Sequence, residues 1–255
     1  MRLRWNLSVL AGAVVLSLGM LGQAQAADNA GGVLARGATF HVGVPRGKGD
    51  PVVYDSTGGD FTTTGSTPRT FIGGAANIDG AGPQVDITSI DVYMAATTDA
   101  SYSNVRARIQ FWDTYAAASS PVFSNAAGTV IEADVGPIDT VANTVNTITI
   151  TLPTPLRLNS LSGKGFAVNF QGDTGAGLVS TDELTTPLSV NGPMNVGSSA
   201  AGAGNGFYRN ASALTNFNFQ SADLRSFNGI TDVRASLTLR GNATVPVSLQ
   251  SFDVE

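Results

Sequence analysis

The chain has 255 residues, a formal net charge of −5 and no cysteine, so disulfides and thiolate-held metals are excluded. The acidic balance also argues against nucleic acid as a partner, because phosphate binding draws on clustered Lys and Arg. Lys stands only at Lys48 and Lys164, among abundant Ala, Gly, Thr, Ser and Asn, a composition that reads as bacterial.

In chain order the first element is a secretory signal peptide over residues 1–26. Arg2 and Arg4 form its basic start, Leu7 to Leu21 its uncharged apolar stretch, and Ala24-Gln25-Ala26 its small-x-small cleavage site. The apolar stretch falls short of the about 20 residues that a spanning helix needs, so no transmembrane anchor is expected after cleavage. The expected destination is outside the cytoplasm: extracellular, on the cell surface or in the periplasm. Residues 27–255 carry twelve basic against nineteen acidic side chains, a net charge of −7.

From Ala38 onward the apolar residues recur with period two, and no long window shows a helical period. Asn104 to Asp113 is the clearest strand. Val105, Ala107, Ile109 and Phe111 fall on one face, while Arg106, Arg108, Gln110 and Trp112 fall on the other, which is expected to be wet. Thr147 to Leu152 alternates in the same way, with Ile148, Ile150 and Leu152 inward and threonines outward. Further strands are predicted over 39–44, 52–55, 69–72, 85–95, 129–135, 165–171, 233–240 and 247–254, separated by Gly, Asn, Asp, Ser and Pro clusters. Ser56 to Pro68 and the Gly-rich run Gly197 to Gly206 read as loops. The prediction is an all-β, antiparallel, jelly-roll-like sandwich with one domain over 27–244 and a C-terminal strand or tail over 245–255.

Few residues are candidates for chemistry. There is no Gly-x-Ser-x-Gly elbow, and His41 is the lone histidine. Its parity, opposite to Phe40 and Val42, predicts a solvated strand residue. Glu132 and Asp134 alternate on one strand and so share a face, the best carboxylate pair for glycoside hydrolysis or cation binding. Asp182-Glu183 reads as a solvated loop pair. Calcium is the candidate cofactor, with Asp60 and Asp173 singled out as ligands among Asp50, Asp55 and Asp79. Gly163-Lys164-Gly165 and the glycines at 202, 204 and 206 fail as phosphate loops. Asn210 and Asn242 head glycosylation sequons. For sugar stacking, outward Trp112 with Tyr115 after it is the candidate ligand-binding pair, beside Phe217 and Phe219 on one face of another alternating run. The competing reading puts Trp112 under a loop or second sheet and the two phenylalanines in the core.

The run Ile87 to Met94, followed by Asn104 to Trp112, resembles exported β-sandwich proteins grouped as choice-of-anchor domains, and Val245 to Phe252 is similar to segments near the ends of such surface proteins. The resemblance implies a surface or secreted protein without known activity, and it carries over no functional residues.

The expected function is therefore a non-enzymatic secreted or cell-surface protein with a structural, matrix or adhesion role. The alternatives are a lectin-like carbohydrate-binding module using Trp112 and Tyr115, and a glycoside-active hydrolase using Glu132 and Asp134. A glycan or an extracellular protein is the expected partner. Val247, Leu249 and either Phe252 or Val254 would also suit self-association by strand addition at a neighbour's sheet edge.

Overall fold

A computed structural model describes residues 33–44, 49–63, 70–80, 82–113, 115–116, 122–123, 129–159, 161–179, 183–199, 206–209, 217–219, 224–227 and 233–244. The predicted signal peptide, residues 1–26, and the predicted tail, residues 245–255, lie outside the described residues. The described residues form strands, turns and bends and no helix. Five strands make the first sheet, in the order β1 (Ala35–Val42), β10 (Thr144–Leu158), β5 (Gln84–Ala96), β18 (Leu237–Thr244) and β2 (Val52–Asp55), with β12 (Leu184–Thr185) also on β5. The second runs β16 (Leu224–Ser226), β15 (Phe207–Arg209), β4 (Thr70–Asn77), β11 (Lys164–Asp173), β6 (Ala100–Trp112) and β9 (Thr129–Thr140), with β14 (Ser198–Ser199) on β4. A small sheet of β17 (Arg234–Ala235), β13 (Leu188–Val190) and β3 (Asp60–Thr62), and a ribbon of β7 (Tyr115–Ala116) and β8 (Val122–Phe123), complete the set.

The two large sheets pack face to face as an antiparallel sandwich, as the period-two pattern predicts. Val85, Ile87, Ile90, Val92 and Met94 of β5 and Ile148, Ile150 and Leu152 of β10 point inward. They meet Val105, Ala107, Ile109 and Phe111 of β6 and Phe166, Val168 and Phe170 of β11, all buried in one core. Each fully buried side chain of this size contributes about 1.5–3 kcal/mol of transfer free energy, and that burial is what holds a disulfide-free chain together. The outward threonines Thr147, Thr149 and Thr151 are half-buried on the other face of β10.

Among the described residues one pairing departs from the antiparallel rule: β1 lies parallel to β10. Its register shifts between Arg36 and Thr39, and Asn146 of β10 fills the irregularity, its Oδ1 accepting from the Ala38 amide at 2.9 Å. A Cβ on Gly37 would sit 2.3 Å from that oxygen, so the bulge needs glycine there.

Two predicted loops are corrected. Ser56 to Pro68 contains β3, and Ser56 itself is fully buried because its hydroxyl donates to the Ala235 carbonyl at 2.7 Å and accepts from the Leu237 amide. Within Gly197 to Gly206, Ser198–Ser199 adds to the edge of β4 as β14. Small polar residues read as loop by composition, but here backbone partners satisfy them. Phe217 to Phe219, expected on an alternating strand, is a turn and bend.

Candidate functional site

Trp112 requires the main correction. Its parity is as expected, away from the central core with Arg106, Arg108 and Gln110, but it is only 1% exposed. The outer face of the second sheet carries a second apolar cluster of Phe71, Ala75, Trp112, Ala167, Phe207 and Leu224. The Trp112 ring packs edge-on against Phe219 at 4.6 Å and Phe207 at 6.3 Å between centroids. A buried ring offers no open face for a sugar to stack on. Tyr115 lies in β7 opposite Phe123, and its side chain falls outside the described residues. Phe217 is buried too, beneath the Arg106 guanidinium at 4.4 Å, so the competing reading, with Trp112 covered and the two phenylalanines as packing residues, is the one the structure supports.

The other half of the same outer face is polar. Strands β11, β6 and β9 lie side by side, and their registers place Asn169 opposite Arg108 and Glu132, Gln171 opposite Arg106 and Asp134, and Asp173 opposite Asn104. Arg108 forms an ion pair with Glu132 and donates to Asn218 Oδ1. Arg106 turns the other way, toward β11, where Gln171 Oε1 accepts from its Nη2 at 2.6 Å. Asn104 Nδ2 donates to Asp134 at 3.1 Å, and its Oδ1 accepts from the Gly136 amide, which locks its orientation.

Asn104, Arg106, Gln171, Asp173 and Leu178 enclose a hollow of about 350 Å³. Its far wall is a folded-back turn: Asp173 Oδ1 accepts from the Gly175 amide at 2.8 Å, and Val179 N–H donates to the Gly172 carbonyl at 3.0 Å. Gly175 holds φ +83° in that turn, a backbone conformation that glycine adopts without strain. The turn brings Leu178 opposite Asp173 with its side chain 44% exposed.

Glu132 and Asp134 do share a face, as their spacing predicts, and both are exposed. They stand two residues apart on one strand, each tied to a β6 side chain, and do not oppose one another across a cleft as a glycosidase pair does. Both border an apolar groove of about 650 Å³ between the sheets, lined otherwise by Val42 and Val44, Ile131 and Ala133, and Ile150 and Leu152.

His41 is exposed, with Phe40 and Val42 packed on the core, as predicted. It begins a polar row across the first sheet: His41, Thr149, Asp91, Thr238 and Asp55 are neighbours in register. Asp91 is buried and accepts from Thr149 Oγ1 at 2.8 Å, with Arg240 as its ion-pair partner. Asp55 accepts from Thr57 and Asn195. The Asp91 contacts tie β5 to β10 and β18.

Asp60 lies on β3 of the small sheet and Asp173 at the end of β11 in the second sheet. Among the described residues no three Asp, Glu or His side chains converge where they would hold a metal ion. Asn242 is exposed on β18 and donates to Asp50 at 3.2 Å; Asn210 and Asp182 lie outside the described residues.

Arg106, Asn104 and Gln171 are the site residues that the sequence did not single out. The outward parity of Arg106 was legible, but the adjacency of β6 and β11, more than fifty residues apart in the chain, was not. No family model matches the chain, and no curated protein or solved structure matches it.

Proposed function

We propose that this is an exported, non-enzymatic β-sandwich protein with an adhesion or matrix role, making its contacts through the polar outer face of the second sheet. The observation that carries this reading is the fixed array on β6, β9 and β11, where charged and amide side chains are held by strands and by one another. Side chains on a rigid sheet lose little entropy when a partner binds, so such a face suits contact. The signal-peptide pattern of residues 1–26 and the resemblance to choice-of-anchor proteins support a place outside the cytoplasm. The separated carboxylates favour binding over acid–base chemistry.

The test is a binding assay of labelled secreted protein on intact source cells and their extracellular matrix. A double variant Arg106→Ala/Asp173→Ala is expected to lose at least fivefold in bound protein. A control on the first sheet, Thr147→Ala/Thr151→Ala, is expected to bind like the parent. Equal binding by all three proteins would sink the reading.

A further inference from the structure

The hollow at the end of that face has the chemistry of a particular ligand class. Arg106 presents N–H donors only, and Asp173 presents acceptors only. Asn104 and Gln171 line it with amides already engaged by Asp134, Gly136 and Arg106, and Leu178 supplies an exposed apolar wall. Arg106 is opposite Asp134 in register, yet it faces neutral Gln171, and no carboxylate among the described residues lies within ion-pair distance of it. Asp173 likewise has no cation as partner among them. Among the described residues, then, one cation and one carboxylate without an ion-pair partner border the same cavity.

Resting on the contact-face reading above, we infer that this hollow is a subsite for one ring of a neutral sugar. A sugar hydroxyl both donates and accepts, so one ring can satisfy Asp173 with its hydrogens and Arg106 with its lone pairs, while its C–H face lies on Leu178. A ligand carboxylate beside Arg106 would also meet Asp173, and a cationic group beside Asp173 would also meet Arg106, so a singly charged ligand is disfavoured on one side or the other. The volume, about 350 Å³, lies at the small end of ligand sites, which run from about 300 to 1,000 Å³, and so fits a single ring. The turn at Gly175 and the Gly172–Val179 hydrogen bond set the wall in advance, as preorganised recognition requires.

The experiment is a glycan array carrying neutral hexose oligosaccharides beside uronate-containing ones, read with calcium and with chelator, followed by calorimetric titration of the strongest neutral ligand. Neutral glycans are expected to bind in both buffers, and Arg106→Ala to weaken the titrated affinity at least tenfold with the circular-dichroism spectrum unchanged. Leu178→Asp, at an exposed position, is expected to do the same and decides the matter if Arg106→Ala does not fold. Stronger binding of uronates than of neutral glycans, or a neutral affinity untouched by Leu178→Asp, would overturn the subsite. Cell adhesion that persists with no sugar bound overturns the subsite and leaves the contact face standing; loss of both removes both.

Discussion

Gly172 shows how tightly single positions near the site are held. A Cβ there would lie 2.3 Å from the Tyr102 ring, and that ring is buried against the core. Gly172→Ala is therefore expected to destabilise by about 1–3 kcal/mol through overpacking, measured as a lower denaturant midpoint with an unchanged slope. The buried carboxylate of Asp91 makes the complementary case. Asp91→Ala would leave Arg240 and Thr149 without their acceptor, at a cost of about 1.5–3 kcal/mol in the same measurement. Both residues carried a weak signal in the sequence, since a glycine and an outward aspartate on a strand are ordinary until their neighbours are known.

Among the elements, β6 was legible to nearly its full pattern, and its inward residues are those the alternation named. Its outer end was misread as wet because period two assigns a face but says nothing of what covers it. Phe207 and Phe219, about a hundred residues further along, do the covering. Trp112→Ala is accordingly expected to cost about 3–5 kcal/mol as a core truncation, and chemical unfolding checks it. The pairing of β10 with β5 carries an exposed bidentate contact of Arg157 with Asp86, at 2.8 Å for each oxygen. The hydrogen bond from Arg157, with its charge, holds the Asp86 carboxyl below its ordinary value. A depressed folded-state pKa gives stability that is present above the unfolded carboxylate value and is lost as pH falls through the folded one. Asp86→Asn is thus expected to lower the melting temperature slightly at neutral pH and not at all in strong acid, and added salt should shrink the neutral-pH difference.

For the whole molecule, the buried phenols of Tyr54 and Tyr93 couple ionisation to folding. Burial pushes both above the ordinary tyrosine value, with the hydrogen bonds to Ser56 and Thr238 opposing it only in part. A raised folded-state pKa contributes stability that is complete below the unfolded value of about 10 and is lost as pH rises toward the folded one. In alkaline titration the tyrosinate absorbance of these residues should appear together with the loss of the β-sheet circular-dichroism signal. Tyrosinate formed well before unfolding would show the phenols to be open to solvent.

The sequence by itself determined the all-β class, the inward faces of β6 and of the Thr147 to Leu152 stretch of β10, and the absence of disulfides, because side-chain alternation and composition are local properties. Tertiary structure alone decided which outer faces are covered, that β1 runs parallel to β10, and that Arg106 and Asp173 border one hollow. These depend on which strands become neighbours, and strand pairing joins residues far apart in the chain whose affinity for one another leaves no mark on the pattern within either strand.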